Sequence, residues 1–139
     1  MTESLRQKQS RFAVGLQRLL EYAHAQRYDV TMGECWRGEA QAEINSLSPK
    51  DKEQLARLIS PAYPSLAVAV RRAGKGIKHS LHCVRLAVDI QLFKDGEWVQ
   101  EPGPYEMLGV YWETLGPDFS AGFRFGDPGH YSIKHEGRR

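Results

Sequence analysis

The stretch Val84–Phe93 is the most apolar part of the sequence, and it carries one aspartate, Asp89, in its middle. Apolar side chains occupy alternate positions along this stretch, which is the pattern of a half-buried β-strand. An unpaired carboxylate in such surroundings is costly, so it is normally matched by a cation or by several hydrogen-bond donors. The chain is therefore constrained to fold with an arginine or a metal ion beside this strand.

Helical patterns lie on both sides of this strand. Near the start of the chain, apolar residues recur at three- and four-residue spacing, which predicts an amphipathic helix. Ser48 followed by Pro49 is typical of a helix start, and Pro61 is expected to end that helix. The basic, glycine-bearing stretch Ala67–His79 is expected to be a loop. The predicted helices are Ser4–Gln26, Gly38–Ile44, Pro49–Ile59 and Tyr105–Leu115.

The remaining patterns predict short strands joined by turns. Asp95-Gly96 is typical of a hairpin turn directly after the apolar strand. Because strands and helices do not alternate, we expect an α+β fold. It would have a small antiparallel β-sheet, N-terminal and connecting helices packed around it, and a metal site at the sheet edge. The predicted strands are Tyr28–Met32, Val84–Phe93, Glu97–Gln100, Gly122–Phe125 and Tyr131–Ile133.

Composition excludes several classes of protein. A length of 139 residues suits one domain, and a net charge of +2 does not favour nucleic acid as a partner. No apolar run approaches the ~20 residues of a membrane-spanning helix. The first residues lack the apolar segment of a Sec signal peptide, so we expect no membrane insertion and a cytoplasmic location on synthesis. Cys35 and Cys83 fit neither a metal knuckle nor a disulfide framework, and both are expected to be small core residues.

Two segments carry residues with metal-binding chemistry. His82 precedes Asp89 by seven residues, and this odd spacing would put the side chains on opposite faces of a straight strand. They can approach one ion only if His82 lies on a bend that leads into the strand. Asp127-Pro128-Gly129-His130 favours a type II turn, which would bring its end residues within ~7 Å. Taken alone, this turn favours a plain hairpin with an incidental aspartate and histidine.

Together the two segments offer two imidazoles and a carboxylate as zinc ligands, with a second carboxylate to spare. The candidate ligands are His82, Asp89 and His130. Three protein ligands with an open fourth position is the arrangement of catalytic zinc. The spare carboxylate, Asp127, is what zinc hydrolysis needs as a base. The residues alone leave open a metal-free alternative, in which Asp89 pairs with Arg37 or Arg85.

Three blocks of the sequence resemble the motifs of one zinc peptidase family. Ser80-x-His82-x(6)-Asp89 resembles the SxHxxGxAxD signature of the LAS-type D-alanyl-D-alanine carboxypeptidases and L-alanyl-D-glutamate peptidases. Asp127-x-x-His130-Tyr131 resembles the closing motif of that family, and Trp36-Arg37-x(3)-Gln41 resembles its Tyr-Arg-x(3)-Gln segment. The family includes vancomycin-resistance D,D-peptidases and many phage endolysins.

The resemblance implies a single zinc peptidase domain over residues 1–139, with one Zn²⁺ per chain. The implied ligands are His82, Asp89 and His130. Asp127 is implied as the general base and later proton donor, and Arg37 as the group that holds the substrate carbonyl or its oxyanion. Ser80 and Gln41 are implied as further substrate contacts.

The implied activity is zinc-dependent hydrolysis of the peptidoglycan stem peptide. The compact size and the missing signal and wall-binding segments favour a phage endolysin that cuts the L-alanyl-D-glutamate bond. Such an enzyme, expected to be a monomer, would reach the cell wall after a holin has opened the inner membrane. The alternatives are a D-alanyl-D-alanine carboxypeptidase or dipeptidase of the same family, and a zinc-containing wall-binding module that no longer cuts.

Two positions depart from the family pattern. Arg85 stands where the signature has glycine, and Ser120-Ala121-Gly122 stands where the family has Trp-Gly-Gly. Neither position is a ligand, so the departures bear on substrate preference and not on zinc binding. The segment Ser46–Ala67 is hard to align with the family, and we expect it to be either a lid or a packing element.

Overall fold

The computed structural model describes residues 2–74 and 80–139. Its helices are α1 (Leu5–Ala25), α2 (Glu39–Ser46), α3 (Pro49–Ile59), α4 (Pro64–Arg72) and α5 (Pro102–Glu113). Its strands are β1 (Asp29–Met32), β2 (Ala87–Lys94), β3 (Glu97–Trp98), β4 (Phe119–Ala121) and β5 (His130–Ile133). Two 3₁₀ turns span Leu81–Val84 and Gly122–Phe125. None of these helices combines the length and apolar character needed to cross a bilayer.

The strands form one antiparallel sheet in the order β1-β2-β5-β4, and β3 pairs with the far end of β2. Strand β2 is central, because it pairs with β1 through Met32 and Ile90 and with β5 through Asp89 and His130. The predicted α+β fold, with helices around a small antiparallel sheet, is confirmed. Its central strand is the apolar stretch that contains Asp89.

The main core lies between the sheet and helices α1 and α5. On β2, Val88 and Ile90 are buried while Gln91 is exposed, so the predicted alternation is present in this strand. Trp112 of α5 is fully buried, and its indole N–H donates to the carbonyl of Ser132 on β5 at 2.9 Å. This packing fixes β5, and with it His130, relative to the helices.

Helices α3 and α4 pack against each other around a small apolar cluster of their own, formed by Ala56, Ala67 and Val70. The loop expected at Ala67–His79 is therefore wrong for residues 67–72, which belong to α4. Pro64 occupies the first turn of α4, where a backbone N–H has no helical partner, so this proline starts a helix as well as ending a loop. Residues 75–79 of the expected loop lie outside the described residues.

The strand predicted to begin at Val84 begins later, at Ala87. Ser80 caps the preceding 3₁₀ turn, because its Oγ accepts a hydrogen bond from the backbone N–H of His82 at 3.2 Å. Arg85 then takes a left-handed conformation, with φ of 56°, which ends the turn. The side chain of Val84 packs against the main core from within the turn, which explains why it fits the apolar pattern.

The strand predicted at Gly122–Phe125 is wrong, since these residues form the second 3₁₀ turn and β4 precedes them. Gly122 lies so close to the following loop that a Cβ there would be 1.9 Å from the backbone oxygen of Asp127. This contact arises from tertiary packing, which the local strand pattern does not contain. Strand β3 is also shorter than predicted and ends at Trp98.

Neither cysteine is fully buried, which corrects the prediction of two core residues. Cys35 is half-buried and packs against the main core, and Cys83 is half-buried in the first 3₁₀ turn. Both are free thiols.

Candidate active site

Three candidate metal ligands converge where β2 meets β5. Asp89 and His130 face each other on these strands, and Nδ1 of His130 lies 3.1 Å from Oδ1 of Asp89. His82, in the 3₁₀ turn before β2, places its Nε2 3.4 Å from the same oxygen. The ligand atoms of the three side chains all lie within 4.8 Å of one another. The predicted bend is therefore present, and it brings His82 to the side of the sheet on which Asp89 lies.

The cluster fits a zinc ion by its donor set and by its dimensions. Two imidazoles and a carboxylate form a known ligand set of catalytic zinc, whose tetrahedral ligand atoms lie roughly 3.4 Å apart when the bonds are about 2.0–2.2 Å. The two imidazole nitrogens lie 3.1 and 3.4 Å from Oδ1 of Asp89. Nδ1 of His82 and Nε2 of His130, the ring nitrogens outside this ligand set, are buried without a partner among the described residues.

Asp89 is held as a charged carboxylate. Burial raises its pKa, but the hydrogen bonds from His130 and His82 outweigh that effect and bring the pKa well below the usual aspartate value. Among the described ion pairs, Asp89 pairs with neither Arg37, which is bound to Glu34, nor Arg85. The observed contacts therefore do not support the metal-free alternative.

Asp127 lies beside the ligand cluster. Its Oδ2 is 4.0 Å from Nδ1 of His130, and its side chain is 60% exposed. Partial burial raises the pKa of Asp127, the nearby charge of Asp89 adds to this effect, and His130 opposes it. A carboxyl with a raised pKa at the edge of a pocket suits a group that accepts and then releases a proton.

The turn that carries Asp127 and His130 differs in type from the one expected. The backbone N–H of His130 donates to the carbonyl of Asp127 at 3.1 Å, so the predicted four-residue turn is present. A type II turn requires a positive φ at its third residue, here Gly129. Gly129 does not have one, so the turn is of another type; the nearby glycine with a positive φ is Gly126, at 82°. Glycine is suited to position 129 for another reason: a Cβ there would lie 3.0 Å from the backbone oxygen of Ile90 on β2.

Arg37 lines the same pocket and is held by Glu34, a residue that the sequence pattern did not single out. Its Nε and Nη2 donate to the two carboxylate oxygens of Glu34, the latter at 2.6 Å, and this pairing raises the pKa of Arg37. The backbone N–H of Arg37 donates to the carbonyl of His82 at 3.2 Å, and this hydrogen bond connects the backbone at Arg37 to the turn that carries His82. Three guanidinium N–H groups remain without an acceptor among the described residues.

These groups open onto one pocket of about 290 Å³. Ser80 lines the pocket, as expected of a substrate contact. Gln41 does not line it; this side chain is exposed on α2, and its amide donates to Asn45 at 2.6 Å. The lining also includes residues that the sequence patterns did not indicate, namely Phe125, Arg138 and Arg139.

A solved structure has the same fold as this chain. It is the vancomycin-resistance D,D-pentapeptidase VanY, a mutant from a VanB-type resistance cassette, in complex with Zn(II). The match has a TM-score of 0.52 at 20% sequence identity and covers 88% of this chain and 70% of that chain. No protein-family model matches the sequence, and no curated protein matches it. At 20% identity the match shows the fold alone. The evidence for the candidate site is the geometry of this chain's own residues.

Replacing Gly122 with alanine is expected to disturb the ligand cluster. The added Cβ would lie 1.9 Å from the backbone oxygen of Asp127 and 2.8 Å from Cβ of His130, so the turn must move. We expect a loss of about 1–3 kcal/mol in the free energy of unfolding, measured by denaturant titration, and weaker zinc binding in a metal competition assay. Gly103→Ala is the control, because a Cβ there meets nothing within 4 Å. Unchanged zinc affinity in Gly122→Ala would contradict this prediction.

Arg85 is strained by its left-handed backbone, and this conformation gives a physical reason for the glycine of the signature. The strain costs a residue other than glycine about 1–2 kcal/mol. The guanidinium of Arg85 lies 5.7 Å from the ring centre of Trp36, an exposed contact worth about 0.5 kcal/mol. We expect Arg85→Gly to raise the free energy of unfolding by about 0.5–1 kcal/mol in denaturant titration. Arg85→Ala keeps the strain, and equal stability of the two variants would show the prediction to be wrong.

Proposed function

We propose that the protein is a zinc-dependent peptidoglycan peptidase that cleaves the L-alanyl-D-glutamate bond of the stem peptide. The observation that carries this proposal is the convergence of His82, Asp89 and His130 beside a further carboxyl, Asp127, in one open pocket. Support also comes from the fold, which resembles that of a D,D-pentapeptidase in complex with Zn(II). The geometry suits hydrolysis, because the metal ligands, a candidate base and an arginine line the same space.

Each residue of the site has a defined part in this proposal. Zinc held by the three ligands would supply Lewis acidity, which polarises an amide carbonyl and lowers the pKa of water. Asp127 takes a proton from the attacking water and later delivers it to the leaving amine. Arg37, anchored by Glu34, offers its remaining N–H groups to the carbonyl oxygen as negative charge develops there. Ser80 fixes the turn that presents His82 and lies within reach of the substrate.

The proposal includes one zinc ion per chain and a monomeric protein that acts on the cell wall. As a phage endolysin, it would remain in the cytoplasm until a holin opens the inner membrane. Neither nucleic acid nor insertion into a membrane has a part in this activity.

Digestion of purified muropeptides, followed by mass spectrometry, tests the proposed bond. We expect the zinc-loaded protein to release fragments cut between L-alanine and D-glutamate. Release of free D-alanine, with no cut at the D-glutamate, would instead identify a D,D-carboxypeptidase, the alternative that the fold of the D,D-pentapeptidase favours. Binding to wall material without any change in turbidity would identify a non-catalytic zinc module.

A further inference from the structure

The segment that follows β5 brings two arginines to the proposed active site. Arg138 and Arg139 both line the pocket that contains the ligand cluster. We propose that they form a binding site for a free carboxylate group of the substrate peptide. This inference rests on the proposed function and narrows the substrate to stem peptides whose carboxyl groups are not amidated.

A tight turn shapes the segment that carries the two arginines. The backbone groups of His135 and Arg138 exchange two hydrogen bonds, of 3.1 and 3.0 Å. The two residues between them, Glu136 and Gly137, both have positive φ, at 49° and 76°, which matches the type I′ turn of a two-residue hairpin. The turn reverses the chain, so the position of the arginines is set by backbone structure.

Arg139 stacks on an aromatic ring that in turn contacts the ligand cluster. Its guanidinium lies 4.8 Å from the ring centre of Phe125, and that ring makes an edge contact with His130 at 5.8 Å between centroids. The stacking leaves the edge of the guanidinium, where its N–H groups are, available for a ligand. A guanidinium presents paired donors that match the two oxygens of a carboxylate.

Arg139 carries the positive charge that favours an anionic ligand at this place in the pocket. Arg37 is already neutralised by Glu34, and Arg138 contacts Glu136 at 3.1 Å. In residues 2–74 and 80–139, no acidic side chain forms an ion pair with Arg139. Asp89 is engaged by the two histidines at the other part of the pocket. A peptide carboxylate would therefore supply the anionic partner that Arg139 lacks among the described residues.

The test compares synthetic stem peptides that differ only in their carboxyl groups. One peptide is free at both the D-glutamyl α-carboxyl and the C-terminus, and two others are amidated at one of these positions. For the zinc-loaded wild-type protein, we expect amidation at the recognised position to lower kcat/KM about tenfold to a hundredfold, the usual effect of a lost charge-assisted hydrogen bond. The peptide that shows the loss identifies which carboxylate is bound.

Removing the arginines should abolish this discrimination. We expect Arg138→Gln/Arg139→Gln to cut the free peptide about tenfold to a hundredfold more slowly, with unchanged zinc content, and to cut the amidated peptide no more slowly than wild type does. Arg124→Gln is the matched control, because this arginine is exposed, pairs with Glu113 and does not line the pocket. A double variant that keeps the wild-type preference for the free peptide would overturn the inference.

Calorimetric titration of the same peptides separates this inference from the proposed function. If the wild-type protein cuts none of the peptides, the proposed function fails, but the free peptide should still bind more tightly than the amidated one. The Arg138→Gln/Arg139→Gln variant should lose that difference. Equal binding of the free and amidated peptides to the wild-type protein, or no binding of either, would contradict the carboxylate site.

Discussion

Replacing Asp127 with asparagine is expected to lower kcat on muropeptides by about 10²–10⁴-fold, the usual contribution of a general acid–base group. The carboxyl lies beside the cluster, with Oδ2 4.0 Å from Nδ1 of His130, and its raised pKa suits proton transfer. Asparagine has a similar size and cannot take up the proton. Zinc content and thermal stability are therefore expected to stay close to those of the wild-type protein, as measured by metal analysis and thermal unfolding.

Asp95→Asn provides the matched control for this variant. Asp95 lies in the turn between β2 and β3, outside the pocket, and has a positive φ of 51°, which asparagine tolerates. The Asp95→Asn variant should turn over muropeptides at the wild-type rate. A near-normal rate in Asp127→Asn would show that another group transfers the proton.

Replacing His82 with alanine is expected to abolish stoichiometric zinc binding and to lower stability. The imidazole is 4% exposed and supplies one of three ligand atoms, so the remaining two would hold the metal weakly. Bound zinc stabilises the folded state by about 4 kcal/mol when its free concentration is a thousand times its Kd. We therefore expect a chelator to lower the Tm of the wild-type protein clearly and to leave the Tm of His82→Ala almost unchanged.

His24→Ala is the control, because His24 is exposed in the last turn of α1, far along the chain from the ligand cluster. It should keep one zinc per chain and the same response to chelator as the wild-type protein. A His82→Ala variant that retains one equivalent of zinc would remove this residue from the ligand set.

The ligand cluster could be predicted because its requirements are local. An aspartate in an apolar strand needs a cation, and the odd spacing from His82 requires a bend, which Ser80 and the left-handed Arg85 provide. The turn that ends at His130 is likewise encoded in four consecutive residues. Its type is not, because glycine is needed at position 129 to let the backbone lie close to Ile90 of β2. The register between β2 and β5 then brings these local features together.

Other features depend on contacts that no local pattern contains. Gly122–Phe125 has strand-like composition but forms a 3₁₀ turn, since its first residue packs directly against the loop that carries Asp127. The sequence pattern predicts a loop in place of most of α4, because Pro64 is interpreted as the end of the preceding helix. The same proline is also compatible with the first turn of a new helix, which is its place in α4. Arg139 lines the pocket only because a hairpin turn directs it there, and such tertiary placement is not visible in a basic pair of residues.

X-ray diffraction measured above and below the zinc absorption edge tests the central claim most directly. Crystals of the zinc-loaded protein should give one strong anomalous peak per chain, about 2.0–2.2 Å from Nε2 of His82, Oδ1 of Asp89 and Nδ1 of His130. An anomalous peak elsewhere in the chain, or none among these three side chains, would contradict the zinc site and the hydrolytic activity proposed for it.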